Sequence, residues 1–167
     1  MAAPTQKKQL SLDANLPLDL AEEADFAHEF REVFQQKGYT LFLPPTAVHE
    51  LHTIHTEGKT QRDRDLARIA LLSLRRWRIQ PFDLDAASEA IAQQFARRLL
   101  HLWLIPDDEL NDGLILAETS LLEIPLLVTS DKHLLDIDED ALALAFSEAD
   151  LAPVHPVHPK RLLRALH

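Results

Sequence analysis

Apolar positions along the chain alternate between short runs and helical repeats. The short runs carry few charges and are typical of buried strands. Between the runs, apolar residues recur every three or four positions, as on one face of a helix. This alternation, with few glycines and no hairpin signal, predicts an α/β domain with a five-stranded parallel sheet flanked by helices on both faces. The predicted strands are Gln9–Leu12, Tyr39–Leu43, Ile79–Phe82, Leu126–Val128 and Leu151–Val157.

Polar caps and helix breakers predict where the helices begin and end. Asp19, with Glu22 three residues on, predicts a helix that runs to Gly38. Thr46 and Asp85 are predicted caps of two later helices. Further helices are predicted over Asp63–Trp77, from Asp112 to Pro125, within Leu135–Phe146 and over Lys160–Leu166. Because two helices separate the third and fourth strands, the residues around Pro106 must carry the chain back across the domain.

Length and composition narrow the class of protein. With 167 residues, one domain with a sizeable core is expected. No apolar run is long enough for a membrane span, and no apolar segment follows Lys7 and Lys8 as a signal peptide requires. The chain has no cysteine, which rules out disulfides and thiolate chemistry and accords with a reducing compartment. We therefore expect a cytoplasmic protein without a membrane role.

Charge is unevenly distributed along the chain. The formal net charge is −10, yet residues 59–98 hold nine basic and five acidic residues. Residues 107–150 hold thirteen acids against Lys132 alone. The basic stretch 59–78 is interpreted as a helical elaboration of the domain. Solvated helix faces explain both blocks, but the contrast also suits a polyanionic substrate beside a carboxylate site that binds a divalent cation.

Four acidic residues are predicted to meet at one edge of the sheet. Asp13 and Asp131 follow strands, Glu50 lies early in the helix after the second strand, and Asp112 opens the helix that leads to the fourth strand. Each alone could be an ordinary cap or turn residue. Together they provide the oxygen ligands that Mg²⁺ or Mn²⁺ prefers. Such a cation can polarise a phosphodiester and acidify its bound water.

These residues belong to four short blocks that resemble the PIN-domain ribonucleases, and among them the VapC-type toxins. The blocks are Leu12-Asp13-Ala14-Asn15, Pro45-Thr46-Ala47-Val48-His49-Glu50, Asn111-Asp112-Gly113-Leu114-Ile115-Leu116-Ala117 and Val128-Thr129-Ser130-Asp131. The resemblance covers nearly the whole chain and implies a single PIN-like nuclease domain over residues 1–167. The activity that it implies is metal-dependent hydrolysis of RNA phosphodiesters.

The resemblance also implies roles for individual residues. Asp13, Glu50, Asp112 and Asp131 would be the catalytic acids. Asp13, Asp112 and Asp131 would contact Mg²⁺ or Mn²⁺, directly or through water, while Glu50 would place the metal or the water. Asn15 and Thr129 would orient the carboxylates. A VapC-type toxin would also have an antitoxin partner and form a homodimer.

A basic and aromatic cluster is a candidate RNA-binding surface. It comprises Arg62, Arg75, Arg76, Trp77 and Arg78. Such a cluster can hold RNA through phosphate contacts and base stacking. A solvated helix face accounts for the arginines equally well.

Other interpretations remain open at this point. His49, His52 and His55 share one helix and could bind a transition metal weakly, but they do not form a His-Glu-x-x-His motif. The chain could be a non-catalytic PIN-like module that binds RNA or acts as a scaffold, or a structure-specific DNA nuclease. Gly113 is expected to weaken the start of its helix by about 1 kcal/mol.

Overall fold

A computed structural model describes residues 7–166, and these form an α/β domain around one parallel sheet. Residues 1–6, which bear on the expected absence of a signal peptide, and residue 167 lie outside the described part. The strands are β1 (Gln9–Leu12), β2 (Thr40–Leu43), β3 (Ile79–Pro81), β4 (Leu126–Val128) and β5 (His155–Val157). All four pairings are parallel, in the order β3-β2-β1-β4-β5. The predicted fold class is confirmed.

The described helices flank this sheet. They are α1 (Asn15–Ala21), α2 (Asp25–Gln36), α3 (Pro45–Glu57), α4 (Gln61–Ser73), α5 (Ala86–His101), α6 (Leu110–Leu121), α7 (Lys132–Leu135), α8 (Glu139–Glu148) and α9 (Pro159–Arg164). The chain moves outward from β1 to β2 and β3, then crosses to β4 and β5 on the other side. With the right-handed crossovers usual for parallel strands, α1–α4 and α5–α8 lie on opposite faces.

Three predicted helix boundaries are wrong. The helix predicted from Asp19 to Gly38 is two helices, because the chain turns at Glu23 in the left-handed region (φ 62°). Thr46 is not a cap, since α3 already begins at Pro45. Pro125 does not end α6, which stops at Leu121. Asp85 does cap α5, and its side chain accepts a hydrogen bond from Ser88 N at 2.8 Å.

The core lies on both faces of the central strands. Leu10, Leu12, Leu127 and Val128 of β1 and β4 are at most 1% exposed. Aromatic pairs from the helices pack around them: Phe30 with Phe34, and Phe95 with Phe146, each with ring centroids 4.6 Å apart. Burial of the strands on both faces explains why they are uncharged, as is usual in parallel sheets.

The return crossover from β3 to β4 is made by α5 and α6, which pack closely side by side. Gly113 makes this approach possible. A Cβ atom there would lie 2.9 Å from Ala96 Cα and 3.0 Å from Ile105 Cδ1. Gly113 therefore does not merely weaken the helix start as expected, because it lets two helices touch next to Asp112.

Several helices end with a residue other than glycine in the left-handed region. With three glycines in the chain, larger residues occupy these positions. They are Glu23, Arg78, Trp103, Glu123 and Asp150, with φ between 56° and 62°. Since these conformations are strained for side chains with a Cβ, packing and hydrogen bonds elsewhere must hold the turns in place.

Among residues 7–166, none of the helices combines the length and the apolar character that crossing a membrane requires.

Candidate active site

Asp13 and Asp131 lie where the direction of the sheet's crossovers reverses. Asp13 follows β1 and Asp131 comes shortly after β4, and these strands are neighbours. The backbone N–H of Asp13 donates to Val128 O at 2.9 Å, which ties the two strand ends together. The crevice beyond such a reversal is where parallel α/β sheets commonly bind ligands.

The Asp13 carboxylate is 4% exposed and held by three donors. One oxygen accepts from Ala14 N at 2.7 Å, and the other from Thr129 Oγ1 at 2.7 Å and Asn15 Nδ2 at 3.3 Å. Burial raises the pKa of Asp13, the bonds from Thr129 and Ala14 partly offset this, and the charge of Asp131 adds to the rise. These donors fix the carboxylate in one orientation.

Asp131 is half-buried and caps α7. Its Oδ1 accepts from His133 N at 2.9 Å, and its own N–H donates to Thr129 Oγ1 at 3.0 Å. Thr129 thus contacts both Asp13 and Asp131. The structure places Thr129 and Asn15 beside the carboxylates that they were predicted to orient.

Asp112 lies in the first turn of α6 and is 3% exposed. Its Oδ2 is buried and has no hydrogen-bond partner. Burial raises its pKa to about 8, with further contributions from Asp131, Asp13, Glu109 and Glu50. A buried carboxylate oxygen without a donor is costly, so this atom requires an explanation.

Glu50 projects from the second turn of α3 and is half-buried. Burial raises its pKa to about 7, the charges of Asp13, Asp131 and Glu109 raise it further, and Asn111 lowers it. The four predicted acids therefore lie close enough to perturb one another, as their positions in the sequence indicated.

Glu109 is a fifth acid that the sequence patterns did not reveal. One oxygen each of Glu109, Asp112 and Asp131 lies within 4.8 Å of the others. Glu109 is the residue before α6, and its carbonyl accepts from Asp112 N at 3.1 Å. Its spacing of three residues before Asp112 was the available signal, but its approach depends on the loop conformation. Asp13 is outside this three-residue group.

These residues fit a divalent cation. All the candidate donors are carboxylate oxygens, the set preferred by Mg²⁺ and Mn²⁺. The charges that raise the pKa of Asp112 are those of other acids, so the carboxylates of this cluster repel one another. A cation among them would give the orphaned Oδ2 of Asp112 a partner and lower the pKa values that mutual repulsion raises.

Comparison with known proteins identifies the family. The PIN domain family matches residues 10–140, which is most of the chain. The chain belongs to the PIN domain family. PIN domains are generally nucleases. No curated protein matches the sequence.

Solved structures share the fold of this PIN domain at low sequence identity. VapBC2 from Rickettsia felis, bound to a DNA fragment from its promoter, is 16% identical with a TM-score of 0.60, over 90% of this chain and 98% of that one. FitAcB from Neisseria gonorrhoeae is 19% identical with a TM-score of 0.53, over 90% and 97%. A structure of FitAB bound to an IR36 DNA fragment is also 19% identical, with a TM-score of 0.51, over 90% and 94%.

The predicted RNA-binding cluster does not form one surface of the PIN domain. Trp77 is buried at 5% exposure, so its ring cannot offer a face to a base. Arg75, Arg76 and Arg78 are exposed, but they lie just before β3 and so at the opposite edge of the sheet. Arg62 pairs with Glu22 at the other end of α4. An RNA-binding role for the exposed arginines stays a prediction.

The histidines of α3 do not belong to the group of acids that could bind a metal ion. Within residues 7–166, the group of three ligands that are close enough for one ion is Glu109, Asp112 and Asp131, and it includes none of His49, His52 and His55. His49 and His52 are exposed and His55 is half-buried.

Proposed function

We propose that this PIN domain protein is a metal-dependent endoribonuclease. The observation that carries the proposal is the buried, unpartnered Oδ2 of Asp112 among four other carboxylates at the crossover reversal. Asp112, Asp131 and Glu109 would hold Mg²⁺ or Mn²⁺, and Asp13 would act beside them. When bound, the cation supplies polarisation of the phosphodiester and acidification of water.

The chain's own residues supply position and electrostatics. Thr129 and Asn15 hold Asp13, and Thr129 also holds the backbone of Asp131. Glu50, which is half-buried beside these acids, would accept a proton from an attacking water. The buried site keeps these charges in a medium where they act more strongly than in bulk water.

Paired substitutions in the carboxylate site test the proposal. Asp112→Asn with Asp131→Asn should reduce Mn²⁺-dependent cleavage of a single-stranded or looped RNA by about 100-fold or more, because ligands matter at least as much as the groups that orient them. The matched control is Asp107→Asn with Asp108→Asn, two exposed acids in the preceding loop. Unchanged cleavage by the site variant would leave a non-catalytic module as the better description.

A second measurement separates metal binding from activity. A cation that binds only the folded state stabilises it by about 2.7 kcal/mol when its concentration is 100 times the dissociation constant. Mn²⁺ should therefore raise the melting temperature of the wild type by several degrees and leave the paired variant nearly unchanged. An equal rise in both proteins would mean that the ion binds elsewhere.

The substrate class is tested directly. Carboxylate–metal chemistry distinguishes poorly between ribose and deoxyribose, so RNA and DNA stem-loops of matched sequence should be compared side by side. Faster cleavage of RNA is expected. Faster cleavage of DNA would favour a structure-specific DNA nuclease.

The toxin role extends the same proposal. The sequence resembles VapC-type toxins, and the solved structures VapBC2 and FitAB share its fold. We propose an antitoxin partner that covers the carboxylate site, and a homodimeric active form. Expression should then arrest growth, and co-expression of a small neighbouring gene should relieve the arrest. If the variant with both Asp112→Asn and Asp131→Asn still arrests growth, the proposal of a nuclease toxin is wrong.

A further inference from the structure

The loop between α5 and α6 exposes a large aromatic side chain near the carboxylates. Trp103 is 81% exposed, the highest value among the exposed large apolar residues of the described chain. Its neighbour Leu102 is 45% exposed. Single exposed apolar residues are common, so Trp103 needs a neighbouring feature to indicate a binding role.

The backbone at Trp103 is held by the end of α5. Its N–H donates to Leu100 O at 3.1 Å, and Leu104 N donates to Leu99 O at 3.0 Å, which is the hydrogen-bond pattern of a Schellman helix end. Glycine usually occupies this left-handed position, where Trp103 has φ 60°. Four other helix ends share the conformation, so it is the exposure that distinguishes Trp103.

The loop lies within reach of the carboxylates. Ile105, two residues after Trp103, is buried, and its Cδ1 is 3.0 Å from the Cβ position of Gly113. Gly113 directly follows Asp112. Even a fully extended chain from Trp103 to Ile105 would therefore place the Cα atoms of Trp103 and Gly113 no more than about 15 Å apart.

A basic cleft runs beside the same helix end. Its volume is about 480 Å³, and it lies between α5 and the segment after α8. Its charged and titratable lining residues are Arg97, Arg98 and His101, with no acid among them. Arg98 pairs with Glu148, whereas Arg97 forms none of the ion pairs found in residues 7–166. In a chain of net charge −10, such a lining favours a polyanion.

We propose that Trp103 stacks on a base of a single-stranded RNA whose backbone continues from the carboxylate site along Arg97 and His101. This rests on the proposed ribonuclease function and names the surface that holds its substrate. Stacking on an exposed aromatic ring accepts any base, while the cations contact phosphates. The surface differs from the cluster around Trp77, whose ring is buried.

The decisive experiment compares two strands. Binding of a labelled single-stranded RNA of about 12 nucleotides is measured in chelator, which prevents cleavage, alongside an abasic strand of the same length. Trp103→Ala should weaken binding of the normal strand at least fivefold, since a stacked base contributes about 1–3 kcal/mol. The variant should bind the abasic strand like wild type. Trp103→Phe should retain part of the affinity.

Control variants test each element separately. Leu102→Ala removes a neighbouring exposed apolar side chain and should leave RNA binding unchanged. Arg97→Gln should weaken binding of both the normal and the abasic strand and reduce the salt dependence of binding. Arg75→Gln, which removes an exposed arginine at the opposite edge of the sheet, should do neither. Emission from Trp103 should be quenched by RNA, with the buried Trp77 as the only other tryptophan.

The alternatives give different results. If Trp103→Ala binds and cleaves RNA like wild type, or loses affinity equally for both strands, the stacking proposal is wrong while the ribonuclease proposal stands. If the variant instead changes the oligomeric state in size-exclusion chromatography and leaves RNA affinity intact, Trp103 belongs to a protein interface. A wild-type protein that neither binds nor cleaves RNA overturns both proposals.

Discussion

At the scale of single residues, the site is organised by one hydroxyl group. Thr129 Oγ1 donates to Asp13 at 2.7 Å and accepts from Asp131 N at 3.0 Å. It also lies 3.4 Å from Asn15 Nδ2, which itself contacts Asp13. Four residues from two neighbouring strand ends are thus tied through one side chain that is fully buried.

Replacing this hydroxyl should weaken metal binding and activity without removing an acid. Thr129→Val keeps the shape of the side chain but leaves Asp13 with fewer donors. We expect the Mn²⁺ concentration for half-maximal cleavage to rise about 10- to 100-fold, the range typical for groups that orient ligands. Thr129→Ser retains the hydroxyl and should stay near wild type. Equal Mn²⁺ dependence in all three proteins would show that Thr129 has only a packing role.

The sequence predicted the positions of some of these residues better than those of others. Asp13 and Asp131 could be placed because they follow strands, and parallel strands end at the same edge. Trp77 could not, because its burial depends on distant packing. Gln35 of α2 donates to the Trp77 carbonyl at 2.8 Å, a contact across 42 positions. Neighbouring arginines made a core residue look like part of a surface.

At the scale of elements, contact between α5 and α6 positions the start of the helix that carries Asp112. Helix propensity predicts that Gly113→Ala stabilises α6 by about 1 kcal/mol. The packing predicts the opposite, since the new Cβ would lie 2.9 Å from Ala96 Cα and Cβ.

We expect packing to dominate for Gly113→Ala. Overpacking typically costs about 1–3 kcal/mol, and the propensity gain offsets about 1 kcal/mol of it, so the net free energy of unfolding should fall by up to about 2 kcal/mol. Cleavage should also slow, because separating the helices moves Asp112. Urea denaturation and cleavage assays check both effects. A more stable variant with unchanged activity would show that the helices separate freely.

Strands were easier to predict than helix ends. Each predicted strand contains or overlaps the observed one. The three inner strands β1, β2 and β4 are largely buried and carry no charge, as expected for a parallel sheet. The break between α1 and α2 escaped prediction, since neither glycine nor proline marks it and Glu23 makes the turn. Similarly, the approach of Glu109 to Asp112 depends on a loop whose course no local pattern indicates.

At the scale of the whole molecule, a single basic stretch of the sequence falls on two separate surfaces of the fold. The basic stretch 59–98 divides into α4 with the following turn and the C-terminal half of α5. The second part packs against α6, the helix that carries Asp112. The acidic stretch 107–150 likewise contains both the carboxylate site and solvated residues of α8. Counting charges identified the contrast, whereas the fold decides which charges face a substrate.

A buried acid away from the site should make overall stability depend on pH. Glu118 is 5% exposed and accepts hydrogen bonds from Thr46 N at 3.0 Å and Thr46 Oγ1 at 2.6 Å. Burial raises its pKa from 4.5 to about 7, although the Thr46 bonds lower it and Glu89 raises it. The folded state therefore binds the proton more tightly than the unfolded state.

The sign follows from that raised pKa. The contribution of protonated Glu118 is fully present below pH 4.5 and is lost as pH rises through about 7. Glu118→Gln cannot ionise, so the variant should gain stability relative to wild type between pH 4.5 and 7.5, by up to about 3 kcal/mol. Denaturant unfolding of both proteins at the two pH values measures this. A constant difference between them would show that Glu118 does not titrate in this window.

The left-handed helix ends are also positions at which the stability of this fold can be changed. Strain at such a residue is of the order of 1 kcal/mol, while glycine adopts the conformation freely and loses more entropy on folding. Each exchange for glycine would therefore change stability modestly. Glu23, Glu123 and Asp150 are exposed and lie outside the site. Natural selection or protein engineering could thus adjust thermal tolerance at these turns while leaving the carboxylate site unchanged.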